Sequence, residues 1–113
     1  MRARSAAIHA RDRSRADRLR ARVREVVRDL RARGEIDGAW LIGSLAWGGF
    51  GVRSDVDIVV SGAPASEAGR IWTYCVEELG SDAGDQVDLL RLEELPEAFR
   101  ARVLARGQRI DEP

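Results

Sequence analysis

A two-layer α/β domain, with a small sheet covered on one face by helices, is the fold class this sequence predicts. Three observations carry that reading. Apolar residues recur at helical spacing near both ends and in the middle of the chain, and short β-branched runs separate those stretches. The resulting order is helix, strand, turn, strand, helix, strand, helix, which buries one stripe or face per element. With 113 residues there is room for one compact domain and not two.

Residues 1–13 are polar and weakly periodic, and are expected to be a flexible N-terminal segment preceding a single domain over 14–113. From Ser14 to Arg33, Ala16, Leu19, Val23, Val26, Val27 and Leu30 form a stripe at three- and four-residue spacing, with Ser14 suited to cap its start and Gly34 its end. Ala39–Ile42 is a short apolar run bounded by glycines, as in a buried strand. Gly43 to Gly51 is a glycine-rich turn with room for one helical turn around Leu45–Trp47. Asp55 to Ser61 alternates acid and apolar residues and then becomes β-branched, which predicts a strand.

Pro64, Ser66 and Glu67 read as a helix start. Ile71, Trp72, Cys75, Val76 and Leu79 form that helix's apolar side, and Gly80 ends it. Gln86–Leu90 is the third strand. A last helix follows Pro96, with Phe99, Val103 and Leu104 expected to face inward and Gly107 to close it. Trp40 and Trp72 are expected in the core, and Glu93 and Glu94 in a solvated loop.

Composition narrows the function classes. Leu, Ile, Val and Phe total 28 residues, enough for a core. The longest uncharged stretch, Gly38 to Val52, is fifteen residues with five glycines, which excludes a membrane span. The N-terminus has arginines but no apolar segment, so a cytoplasmic protein is expected. One cysteine excludes an internal disulfide, and one histidine beside it leaves a structural zinc site out of reach. Formal net charge is zero, yet residues 1–33 hold twelve Arg against four acids, a balance of +8, and the remainder carries −8. No aromatic residues are interleaved with those arginines, so nucleic acid is not the expected partner.

The chemistry concentrates on three acids. Asp55 and Asp57 are two apart on a strand and share one face, while Val56, Ile58 and Val60 share the other. Asp88 lies between Val87 and Leu89 on the third strand and also points away from the core. Three converging carboxylates repel unless cations neutralise them, and oxygen-ligated Mg²⁺ or Mn²⁺ is the natural remedy. Gly43 and Ser44 stand at the end of the first strand, where a glycine-rich turn can offer amides and a hydroxyl to phosphate.

Gly43-Ser44-Leu45-Ala46-Trp47-Gly48 followed by Ser54-Asp55-Val56-Asp57 resembles the signature of the DNA polymerase β-type nucleotidyltransferase superfamily. More narrowly it is similar to the minimal nucleotidyltransferases, the antitoxin partners of HEPN toxins. The step from Ser44 to Asp55 and the downstream Asp88 match the family's arrangement, and the resemblance covers about residues 15–110. It implies a mixed sheet, two Mg²⁺ ions with Mn²⁺ as a substitute, and transfer of a nucleotidyl group from a triphosphate such as ATP. Asp55, Asp57 and Asp88 would bind metal, Asp88 would help deprotonate the acceptor, and Gly43 and Ser44 would hold the triphosphate. Trp47 stands where the family often has Arg, a role Arg53 could take. The implied function is transfer of AMP to a tyrosine of a HEPN-type toxin. The alternatives are a small-molecule acceptor such as an aminoglycoside, or an antitoxin that acts by occlusion alone.

Overall fold

The computed structural model describes residues 2–48, 55–80 and 86–112, with side chains from Arg13 onward. Eight elements follow one another: α1 (Arg2–Ala32), β1 (Gly38–Ile42), α2 (Ser44–Trp47), β2 (Val56–Ser61), α3 (Ala68–Leu79), β3 (Val87–Arg91), α4 (Glu97–Arg106) and β4 (Gln108–Arg109). The strands form one mixed sheet in the order β3-β2-β1-β4. β1 runs antiparallel to both β2 and β4, while β2 and β3 are parallel and joined through α3. The predicted α/β class and its mixed sheet are thus observed, but the helices do not keep to one face: α4 packs on the side opposite α1 and α3, because Val103 seals Trp40, Ile42 and Val59 there.

α1 and α3 cover one face. Ala16, Leu19, Val23, Val26, Val27 and Leu30 are all buried, together with Ile71, Cys75 and Leu79 of α3 and Val56, Ile58 and Val60 of β2. Burial pushes the Cys75 thiol up to about 12, so it is an inert packing residue. Polar clasps join the two helices: the Tyr74 hydroxyl donates to Asp29 at 2.6 Å, and Arg22 pairs with Glu78 at 2.7 Å. The helix start expected at Ser14 lies inside α1, which begins at Arg2, because Arg2–Arg13 is rich in Ala and Arg and contains neither Pro nor Gly.

The opposite face is half covered. Trp40, Ile42 and Val59 meet Val103 of α4, with Leu90, Leu92, Leu95 and Phe99 packed around them. Two inward residues expected from the sequence face out instead. Leu104 is 55% exposed, since Val103 already takes the inward position of that short helix. Trp72 is 41% exposed, and its indole N–H donates to the Val87 carbonyl at 2.6 Å, where it guards the edge strand. Glu93 and Glu94 are more than solvated: Glu93 accepts the Gly62 amide at 2.7 Å, and Glu94 pairs with Arg91.

β4 has no counterpart in the sequence reading, because two exposed residues show no period. It is held by Asp111, whose side chain is fully buried. That carboxylate accepts from the Ala39 amide at 2.8 Å, from Arg109 Nε at 2.5 Å and from Arg31 at 2.8 Å, and so ties β1, β4 and α1 together. Burial by itself would push the Asp111 carboxyl up. The hydrogen bonds from Arg109 and from the Ala39 amide outweigh that and hold it below its ordinary value. Its contribution is therefore complete above the ordinary carboxylate range and is lost as pH falls through the lowered value.

Asp111→Ala is expected to destabilise the domain by about 1–3 kcal/mol at neutral pH, chiefly through the orphaned Ala39 amide, since both guanidiniums are over a third exposed. Urea unfolding checks this. The gap to wild type should narrow in acid, and equal midpoints at neutral pH would show that the latch holds nothing.

Candidate functional site

Among the described residues, the acids lie beyond the part of the sheet's second face that α4 covers. Along β2, Asp57 and Val59 point to this side while Val56, Ile58 and Val60 enter the α1–α3 core. The parallel register pairs Asp57 with Asp88, and the antiparallel register pairs Asp57 with Ile42. One row across the sheet is therefore Asp88, Asp57, Ile42. The next row, Leu90, Val59 and Trp40, is apolar and lies under α4. Asp55 precedes β2 and joins the cluster from its N-terminal side.

One carboxylate oxygen from each of Asp55, Asp57 and Asp88 lies within 4.8 Å of the others. Asp55 and Asp88 are exposed, whereas Asp57 is half-buried between them. Burial, the charges of Asp88 and Asp55, and a hydrogen bond with Asp88 push the Asp57 carboxyl up from 3.8 to about 6. The donor set is all oxygen and anionic, so it fits a hard divalent cation such as Mg²⁺ or Mn²⁺ and not a soft metal. The expected convergence of these three residues is observed.

Gly43 follows β1 directly, at φ 74°. A Cβ built there would lie 2.4 Å from Asp57 Oδ2, so only glycine lets the turn pass so close to the carboxylate. The amides of Ala46 and Trp47 close α2 onto the Gly43 carbonyl at 3.1 and 2.9 Å. Ser44 begins this turn and is half-buried. Arg53 and Ser54 lie outside the described residues. Sequence reasoning missed Arg20, which reaches from α1 to donate to the Leu45 carbonyl at 2.8 Å and so braces α2. Its place three residues from Asp17 marked only a helix-surface pair.

Because folding raises the Asp57 pKa, the metal-free fold is favoured below the ordinary carboxylate value and loses that advantage as pH rises through about 6. The loss is on the order of 2–3 kcal/mol by linkage. Asp57→Asn should accordingly stabilise the metal-free domain near pH 8, and the gain should vanish near pH 4, where wild-type Asp57 is itself neutral. Thermal melting in chelator across that range measures it. A variant less stable at every pH would mark Asp57 as a structural acid.

Comparison with known proteins agrees with this geometry. The family model described as polymerase beta, nucleotidyltransferase matches residues 25–112. A solved structure assigned as a minimal nucleotidyltransferase superposes with a TM-score of 0.66 at 29% identity, covering 81% of this chain and 92% of its own. A second, assigned as a nucleotidyltransferase from Sulfolobus solfataricus, superposes with a TM-score of 0.51 at 20% identity, covering 85% of this chain and 82% of its own, and shares the fold. No curated protein matches the chain. Among the described residues no helix is long and apolar enough to cross a membrane. With the matched span running from the last two turns of α1 through β4 and enclosing all three acids and the Gly43 turn, the chain belongs to the polymerase beta nucleotidyltransferase family and has the fold of its minimal members.

Proposed function

We propose that this domain transfers AMP from ATP to a tyrosine hydroxyl of a HEPN-type toxin and acts as that toxin's antitoxin. The observation that carries the reading is the convergence of Asp55, Asp57 and Asp88 beside the Gly43–Ser44 turn, with two of the three acids exposed. Among the described residues α4 packs over the neighbouring apolar row, while Asp55 and Asp88 are exposed. An acceptor presented on its own protein scaffold suits such an open site.

In this reading Asp55, Asp57 and Asp88 hold the divalent ions, and Gly43 and Ser44 hold the triphosphate. When bound, Mg²⁺ or Mn²⁺ supplies charge neutralisation at the α-phosphate and at the acceptor oxygen. Asp88, at the exposed edge of the row, accepts the proton of the attacking hydroxyl. A new bond forms between that oxygen and the α-phosphorus, the bond from the α-phosphorus to the oxygen bridging the β-phosphate breaks, and pyrophosphate leaves. The product tyrosine carries a bulky anion, which repels RNA phosphate from the toxin's own site.

Incubation with α-labelled ATP, Mg²⁺ and the product of the neighbouring reading frame, first checked for the R-x-x-x-x-H motif of a HEPN protein, tests the proposal, with intact mass measured for both proteins. AMP should appear on the toxin, and Asp88→Ala should slow transfer by about 10²–10⁴-fold. In cells, the Asp55→Ala/Asp57→Ala double variant should still bind the toxin yet fail to rescue growth. Full rescue would leave occlusion as the mechanism.

A further inference from the structure

The arginines of this chain are unevenly committed. Arg20, Arg22, Arg31, Arg33, Arg70, Arg91 and Arg109 are all engaged in ion pairs. Arg102 and Arg106 have no acidic partner among the described residues, although both are exposed on α4. They are four residues apart, so they project from one side of the helix, one turn apart. Opposite them stands Trp47, 53% exposed, whose indole N–H donates to the Arg106 carbonyl at 2.9 Å. These three residues line a cleft of about 480 Å³ between α2 and α4.

The position of the cleft gives it a purpose. Trp47 closes the single helical turn that Ser44 opens, about one turn's rise away. At the other wall, α4 ends at Gly107, which lies against Trp40 and Ile42, where an added Cβ would meet their side chains at 3.3 and 3.4 Å. Ile42 pairs across the sheet with Asp57. The end of α4 that carries Arg106 therefore lies against the strand neighbour of Asp57, on the β1 side of the row that Asp88 borders from the β3 side. A nucleoside triphosphate brought to this end of the sheet is a polyanion entering a ring of carboxylates. Its tail is repelled by any acid charge the ions leave uncompensated, and fixed positive charge beside the Gly43–Ser44 turn would add to its hold.

We propose that Arg102 and Arg106 bind the β- and γ-phosphates of the nucleoside triphosphate, with the Trp47 indole as the wall that confines them. The inference rests on the nucleotidyl-transfer reading and deepens it: α4 supplies the cations that hold the tail and then the departing pyrophosphate. Guanidinium forks suit phosphate oxygens, since two parallel N–H groups can donate to one phosphate.

Calorimetric titration of the full chain in Mg²⁺ with ATP, inorganic triphosphate and AMP tests it. Arg102→Gln and Arg106→Gln should each weaken ATP and triphosphate by about tenfold, and AMP, which lacks the tail, should bind as before. Melting should be unchanged, because both side chains are exposed and neither has an acidic partner among the described residues. The Arg102→Lys/Arg106→Lys variant, which keeps charge but loses the fork, should bind triphosphate between wild type and the double Gln variant, and it serves if the latter folds poorly. Unchanged ATP affinity in the Gln variants, or equal loss of ATP and AMP, overturns the inference and leaves the transfer reading standing. Wild type that binds ATP with this pattern but transfers nothing overturns the transfer reading alone. Wild type that binds neither ATP nor triphosphate overturns both.

Discussion

Repulsion among three carboxylates is the constraint around which this domain is arranged. Left to themselves, Asp55, Asp57 and Asp88 would separate, yet an oxygen of each lies within 4.8 Å of the others. The backbone imposes the crowding. Parallel pairing of β2 with β3 places Asp57 beside Asp88 at one register position, and a one-residue slip would turn Val56 and Ile58 out of the core. The core face therefore fixes the acid face. The strain appears in Asp57, whose carboxyl is pushed up to about 6 by burial and by its neighbours. A divalent cation relieves it, so the same residues that weaken the empty fold prepare it for metal.

The rest of the chain holds that end of the sheet in place. On one face α1 and α3 bury a continuous apolar layer, and α1 contributes Arg20 as a brace for α2. On the other face α4 seals the apolar row and stops short of the acidic one. The C-terminal residues close the arrangement. β4 adds a fourth strand beside β1, Ile110 donates its amide to the Ala39 carbonyl at 3.0 Å, and the Arg109 guanidinium lies 4.7 Å from the Trp40 ring centre. This face carries both a second small core and, among the described residues, the exposed acids Asp55 and Asp88.

How far the sequence reveals this depends on the range of the interaction. The α1 stripe, the alternation along β2 and the glycine at position 43 are local signals, and each appears in the structure where periodicity or turn chemistry places it. The three acids could be assigned to one face because strand period alone decides which side they take. Placement of α4 on the opposite face from α1 and α3 had no local signal, since a ten-residue helix with Val103 and Leu104 adjacent does not say which one points inward. β4 and Asp111 were hidden for a related reason: their meaning lies in contacts with Ala39 and Arg31, more than seventy residues away in the chain. Trp72 shows the same limit, being apolar enough for a stripe yet placed at the edge by its hydrogen bond to Val87.

The central claim is that the carboxylate row is a metal site that the fold holds ready. Calorimetric melting with increasing Mn²⁺ at a pH above about 6, for wild type and for the Asp55→Asn/Asp57→Asn/Asp88→Asn variant, measures it most directly. The account predicts that Mn²⁺ raises the wild-type melting temperature in a concentration-dependent way, by about 2.7 kcal/mol of stabilisation at a hundredfold excess over its dissociation constant. The variant should start more stable and not respond. Equal responses from both proteins, or none from wild type, would contradict it.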